Sequence, residues 1–299
     1  MAGWRRVAFF GAFLVIIVSF AVNSIITRYL VSNGLVGPFP LTVIRFLSGF
    51  VTLQLLALGL PGRLARTKPG FRELAGALFL GLYAFAISFG YVFVPAGAGA
   101  LVFYSMVVIT MSTYSVAADG ERISLQLILG QALGILGIFI ITLRGVGSAS
   151  LPGVALMAVT GTSWGLYSVY GRKSGSYFGY TYNSFLLFGV ASLVLVGLVT
   201  PLTGTGQWTN IDARTLALSL YMGMLSTAVS YIVWNSVLKK VSASQGGLAQ
   251  LLVPVLTAVM GVIFLSEGVT LELMAGGALI LAGIYVNGSR KVGKREGLT

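Results

Sequence analysis

One stretch of this chain occurs twice. Residues 246–286 form two apolar runs joined at Ser266-Glu267-Gly268, and residues 100–141 repeat the plan around Gly120-Glu121. Laid over one another without a gap, the copies place Glu121 on Glu267, Ser124 on Thr270, Gly130 on Gly276 and Gly137 on Gly283. An earlier pair keeps the same relation: Ser19-Phe20 through Arg28 lies over Ser163-Trp164 through Arg172, with Ser24 over Ser168. The chain therefore reads as two homologous halves, residues 1–145 and 146–299, within one domain. Composition decides where such a duplicated apolar fold can exist. Hydrophobic residues make up 57% and charged residues only 9%, against about 25% charged in soluble domains. The expectation is an all-α integral membrane protein.

Apolar runs that read as membrane-crossing helices fall at 7–27, 41–60, 125–143, 151–171, 182–200, 216–235, 246–265 and 273–287. Residues 74–118 carry no charge before Asp119 and are too long for one crossing; Val94-Pro95-Ala96-Gly97 should divide them, since proline removes a backbone donor. That makes ten transmembrane helices, five per half. The first run exceeds the roughly 7–15 apolar residues of a cleavable leader and is expected to be retained. Placing both termini in the cytoplasm gathers there all of the 19 basic residues except Arg28, Arg45, Arg144 and Arg214, the asymmetry that the positive-inside rule requires. Five crossings per half then force the second copy to enter the membrane from the opposite face. Inverted halves can exchange conformations around a site at their interface, opening it to one side and then the other. The expected class is a transporter of the cell (inner) membrane.

The missing residue types narrow the chemistry. There is no cysteine and no histidine, so thiol nucleophiles, imidazole bases and the common zinc and copper sites are excluded, and no catalytic group, metal or cofactor is expected. The seven acidic residues all fall at or beyond the ends of apolar runs. A proton relay through a buried carboxylate therefore has no residue to run on, and the permeant is expected to be neutral or zwitterionic. The net charge of +12 lies in short gaps between spans, not on a solvated face, so no nucleic-acid partner is expected. The partners expected are a small-molecule substrate and the lipid bilayer, with the chain functional as a monomer.

The Pro254 run from Gln250 to Val286, Ser163-Trp164-Gly165 in the sixth helix and Ile44-Arg45-Phe46 on the second resemble the EamA-type ten-helix branch of the drug/metabolite transporter superfamily. The likeness covers nearly the whole chain in two copies. It departs from the family pattern at Val108, which stands where the first copy would match Pro254, and at Phe20, where tryptophan is commoner. The resemblance implies export of small metabolites. The tyrosines and tryptophans within the spans tilt the expectation to neutral amino acids, aromatic ones included, with a multidrug or other metabolite exporter of the same fold as the alternative.

The residues expected to line a substrate site are Tyr83, Tyr104, Trp164, Tyr167, Gln250, Asn23, Asn183 and Ser163, all placed within or close to apolar spans. Trp164, Tyr167 and Tyr170 stand at i, i+3 and i+6 and are expected to share one face of their helix. Arg45 can hold a substrate carboxylate or snorkel to the interface; snorkelling is the expectation, which leaves the site without a fixed charge. Glu121 and Glu267 are expected at the starts of the helices that follow them, complementing the helix dipole. With Arg45 and Pro254 they form a gating or structural set. Tyr29, Tyr177, Tyr180 and Tyr285 are expected in interfacial belts, and Gly76, Gly81, Gly130, Gly134 and Gly137 at close helix contacts.

Overall fold

Helices in this chain start where a proline or a polar side chain relieves the free amides of a first turn. Pro38 sits in the first turn of one helix, and the Asp212 and Thr270 side chains accept from the backbone of Thr215 (2.7 Å) and Leu273 (3.2 Å) to start two others. The computed structural model describes residues 2–59, 68–142, 150–203, 208, 211–250 and 252–289. Over these the chain forms α1 (Ala2–Ser32), α2 (Pro38–Leu58), α3 (Phe71–Phe93), α4 (Ala96–Ala118), α5 (Leu125–Thr142), α6 (Leu151–Arg172) and α7 (Tyr177–Thr203). Then follow α8 (Ala213–Leu238), α9 (Ala243–Leu265) and α10 (Leu271–Gly288). The predicted division of residues 74–118 is present: Val94, ahead of Pro95, is extended at φ −133° and ψ 144°, as the proline ring demands of its neighbour. Met1, most of the expected connector at 144–152, and residues 290–299 lie outside the described residues.

Seven of these helices are long and apolar enough to cross a membrane, and α5 and α10 are shorter apolar helices. The tenth, α6, spans 22 residues but carries Thr160, Ser163, Trp164, Tyr167 and Ser168, all buried against its neighbours. This is a multi-pass membrane protein.

Two helices depart from regular geometry, and both departures place side chains. In α8, Met222–Val229 is a π-helical turn, and Ser230 Oγ bonds the Leu225 carbonyl at 2.9 Å. Gly223 in that turn lies so close to α2 that a Cβ would strike the Arg45 carbonyl and the Ser48 hydroxyl. In α9 the α-helix stops at Ala249 and resumes at Leu252. Pro254 has no N–H for the Gln250 carbonyl four residues back, and Val253 N–H takes that carbonyl instead at 3.1 Å. The equivalent Val108 leaves α4 unbroken from Ala96 to Ala118.

The pairing of helices follows the duplication. α5 packs antiparallel on α10, with Gly130 against the Gly283 carbonyl and Gly137 against the Gly276 carbonyl, each 2.5 Å from where a Cβ would be. α3 lies on α6 and α1 on α8; α4 lies on α6 and α1 on α9; α2 meets α8 and α3 meets α7. The turns before Glu121 and Glu267 also match, both entering the left-handed region, at Gly120 (φ 70°) and at Ser266 (φ 53°). Of the predicted close-packing glycines, Gly76 and Gly81 meet the side chains of Ser184, Tyr180 and Phe188, whereas Gly134 has its nearest neighbour, Ile109, 4.0 Å away. Gly134 still stands at the crossing, its backbone nitrogen 3.0 Å from where a Cβ on Gly283 would be, but its own hydrogen side points into open space.

Candidate substrate site

The middle of the bundle is a cage of rings around Trp164. Its ring centroid lies 4.5 Å from Tyr231, 5.2 Å from Tyr83, 5.5 Å from Tyr167 and 5.4 Å, edge to face, from Phe20. Phe20 and Trp164 occupy equivalent positions of the two copies, so the halves meet here residue on residue. Trp164 Nε1 donates to Gln250 Oε1 at 2.9 Å, which is what the break in α9 accomplishes. Trp234 extends the cage from α8 and donates to Ser168 at 3.0 Å.

Arg45 stands inside this cage, which corrects the expectation that it snorkels. α2 begins at Pro38, so Arg45 lies two turns in, about 11 Å of rise, and it is fully buried. Its Nε donates to Thr227 Oγ1 at 2.7 Å, and one Nη donates to Tyr83 (3.0 Å) and Tyr231 (3.1 Å). The guanidinium carbon is 5.1 Å from the Phe46 centroid and 5.5 Å from that of Tyr83, contacts that soften the cost of burying it. The site therefore does hold a fixed charge. The π turn of α8 makes this possible, because it carries Thr227 and presses against α2 at Gly223.

Asn23 joins the same network, its Nδ2 donating to the Tyr83 hydroxyl at 3.4 Å. Tyr167 is held by Asn235 Nδ2 at 3.3 Å, and its carbonyl accepts from Tyr180 at 2.8 Å. Tyr180 is thereby buried within the bundle and does not face outward, whereas Tyr285 is 77% exposed. Tyr104 is one ring further out, stacked on Phe103 at 4.2 Å. Asn183 and Ser163 are buried but stand outside the hydrogen bonds that join Arg45, Tyr83, Asn23 and Tyr231. Tyr170 leaves the shared face, packing on Phe71 and Phe79, because steps of three residues turn back by about 60° each and the second step carries it off. Tyr231, Trp234, Phe20 and Thr227 were missed as site residues, although the mid-span Ser230-Tyr231 and Trp234 resemble the features that singled out helix six.

The two acidic residues of the repeat reach the starts of other helices than the ones that follow them, Glu267 as a cap and Glu121 through a side chain. Ser124 and Thr270 already cap α5 and α10. Glu267 instead crosses to the start of α4, accepting from Ala96 N–H at 2.9 and 2.7 Å, and binds Arg28 Nε at 3.1 Å. Glu121 crosses to α9, accepting from Ser244 Oγ at 2.7 Å. Arg28 also donates to the Tyr91 carbonyl at 2.6 Å. Its counterpart Arg172 pairs with Asp119, which also binds Lys173 at 3.0 Å. Burial lowers the Lys173 pKa, but the hydrogen bond and charge of Asp119, with Tyr114, outweigh that and leave it raised. Among the described residues, ionic contacts thus join helices at each end of the bundle.

Residues 151–289 match the EamA-like transporter family. An uncharacterized transporter, YvbV, of Bacillus subtilis is 30% identical over 73% of this chain and 70% of its own length. The chain belongs to the EamA-like transporter family. Other relatives include an uncharacterized protein of Pseudomonas aeruginosa, 35% identical over 88% of this chain and 91% of its own, and a probable amino-acid metabolite efflux pump of Escherichia coli. The latter is 28% identical over 68% of this chain and 69% of its own. In this EamA-like chain, the family-like Arg45 and Ser163-Trp164 segments come together in the cage, although they are more than a hundred residues apart.

Proposed function

We propose that this transporter exports small neutral or zwitterionic metabolites, amino acids and aromatic ones among them, by alternating access between its two halves. The observation that carries this reading is the ring cage around Trp164, built by α1, α2 and α3 of one half and α6, α8 and α9 of the other. A flat ring entering the cage finds other ring faces, each contact worth about 0.5–1.5 kcal/mol beyond burial. The relative named as an amino-acid metabolite efflux pump points the same way.

The antiparallel α5–α10 contact supports inversion of the halves. Exchanging Gly130 with Gly276 and Gly137 with Gly283 turns one glycine contact into the other, as a two-fold axis in the membrane plane would. The basic ends support the orientation. Arg72, Lys173 and Lys239 are tied together through the Lys173 and Ser174 carbonyls, and the positive-inside rule puts that end in the cytoplasm of a cell (inner) membrane protein. This mechanism uses no acidic coupling group and no cofactor; Glu121, though buried, lies in the turn before α5 and is bonded to Ser244. A groove of about 860 Å³ between α3, α6 and α7 is lined by Leu74, Leu78, Phe85, Phe89 and Val159. With so apolar a wall, partly exposed at the bundle surface, it suits lipid chains and not a polar metabolite.

Purified protein in liposomes loaded with phenylalanine, threonine or a cationic drug tests the reading. Both amino acids should leave down their own gradient with no imposed pH difference. Trp164→Ala should lower phenylalanine transport several-fold more than threonine transport. Export of the drug alone would refute the amino-acid reading, and a strict need for a proton gradient would refute the uncoupled mechanism.

A further inference from the structure

We infer that the cage has two poles, and that its ligand carries a carboxylate and an ammonium on one carbon: Arg45 with the hydroxyls of Tyr83 and Tyr231 takes the carboxylate, and Asn23 takes the ammonium. The inference rests on the amino-acid reading above and assigns the groups that would recognise such a molecule.

The donor pole comes from Arg45. Its Nε and one Nη are bonded to Thr227, Tyr83 and Tyr231, while Nη1 is buried without a hydrogen-bond partner. The ion pairs Arg28–Glu267, Arg172–Asp119 and Lys173–Asp119 stand at the bundle ends, and none of them includes Arg45. Hydroxyls and ring faces solvate a buried guanidinium without neutralising it, and a buried charge is costly until an opposite charge meets it. Each tyrosine hydroxyl that accepts from Arg45 still has a proton to give. Nη1 and the two hydroxyls are therefore donors gathered at one point, and a planar guanidinium matches the geometry of a carboxylate. One cation balances one carboxylate; a doubly charged phosphate ester would ask for more positive charge than the cage residues supply.

The acceptor pole comes from Asn23. Its Nδ2 is directed at Tyr83, and its Oδ1 is buried without a partner. A buried amide oxygen without a partner suits an ammonium, which would gain a hydrogen bond there and a cation–π contact from a ring face of the cage. Asn23 and Arg45 each stand one hydrogen bond from the same Tyr83 hydroxyl. Both residues that carry an open valence thus border one hydroxyl, and a ligand reaching both would bring its carboxylate and its ammonium to the two sides of Tyr83, with a ring on its side chain toward Trp164.

The test is competition against labelled phenylalanine exchange in liposomes holding the purified full chain, with unlabelled phenylalanine, phenethylamine (no carboxylate) and 3-phenylpropionate (no ammonium). Phenylalanine should compete at least tenfold better than either analogue. Arg45→Gln should abolish its advantage over phenethylamine. Asn23→Ala should abolish its advantage over 3-phenylpropionate and leave the advantage over phenethylamine. Should Arg45→Gln fail to fold, Tyr231→Phe keeps the ring and deletes one donor, and should weaken 3-phenylpropionate three- to tenfold without weakening phenethylamine. If phenylalanine is exchanged but phenethylamine competes equally well, the two-pole assignment is overturned and the amino-acid reading stands. If neither phenylalanine nor threonine is exchanged, both fall.

Discussion

Replacing Glu267 by glutamine should open one end of the transporter. The carboxylate accepts from Arg28 Nε at 3.1 Å and from Ala96 N–H at 2.9 and 2.7 Å, and the side chains of Arg28 and Glu267 are 20% and 14% exposed. Hydrogen bonds to a charged group contribute about 1.5–3 kcal/mol, and partial exposure of the pair reduces that to about 1–2 kcal/mol. Since about 1.4 kcal/mol is a factor of ten in an equilibrium, the population open at this end should rise roughly 5–30-fold, provided the closed state alone has the contact. The chain contains no cysteine, so Ser24→Cys, at a fully buried position on α1, is a clean reporter. Its labelling by a membrane-impermeant maleimide applied from outside intact cells should accelerate by that factor in Glu267→Gln. Asp119→Asn, at the opposite cluster, should not accelerate it. An unchanged rate in Glu267→Gln would mean that the contact only caps α4 and does not hold the end shut, and acceleration by both variants would point to general loosening.

Two further outcomes concern stability, read as thermal unfolding in detergent. Ser266→Gly should stabilise the protein by about 0.5–1 kcal/mol, because a left-handed non-glycine residue costs about 1–2 kcal/mol and the added freedom of the unfolded chain returns only part of that; destabilisation would show that the serine side chain has a partner that matters more than its backbone. Gly283→Ala should destabilise by about 1–3 kcal/mol, its Cβ meeting the Gly130 carbonyl at 2.5 Å, whereas Gly134→Ala, with 4.0 Å to its nearest neighbour, should be close to neutral. Equal effects would refute the assignment of the α5–α10 crossing as a backbone contact.

How far the molecule was legible from sequence depends on the range of the physics involved. Helix positions follow from apolar runs and local breakers, so the division at Pro95 was readable; the meeting of Tyr83, Trp164, Tyr167 and Gln250 came from the family resemblance and not from periodicity. The fate of Arg45 was not. A guanidinium on a span can reach the interface or be held inside, and the choice is made by Thr227 and Tyr231 on a helix 182 or more residues away. Those partners are aimed by a π turn that leaves no periodic trace. The partners of Glu121 and Glu267 were hidden for a related reason: the sequence shows which helix follows a carboxylate, and the fold decides which helix start lies beside it.

The bare crossing of α5 and α10 also bears on the order in which the chain can mature. Domains emerging from the ribosome fold from the N-terminal side, but the face of α5 that carries Gly130 and Gly137 has its mate in α10, the last of the described helices to be made. Through most of synthesis that face must be left to lipid or to a transient neighbour, and lipid chains fill a glycine notch poorly. The first half is therefore held waiting for the end of the second. A chain arrested after α9 should remain open at this seam, and for the quality-control machinery of the membrane an unsealed glycine face would distinguish an unfinished molecule from a finished one.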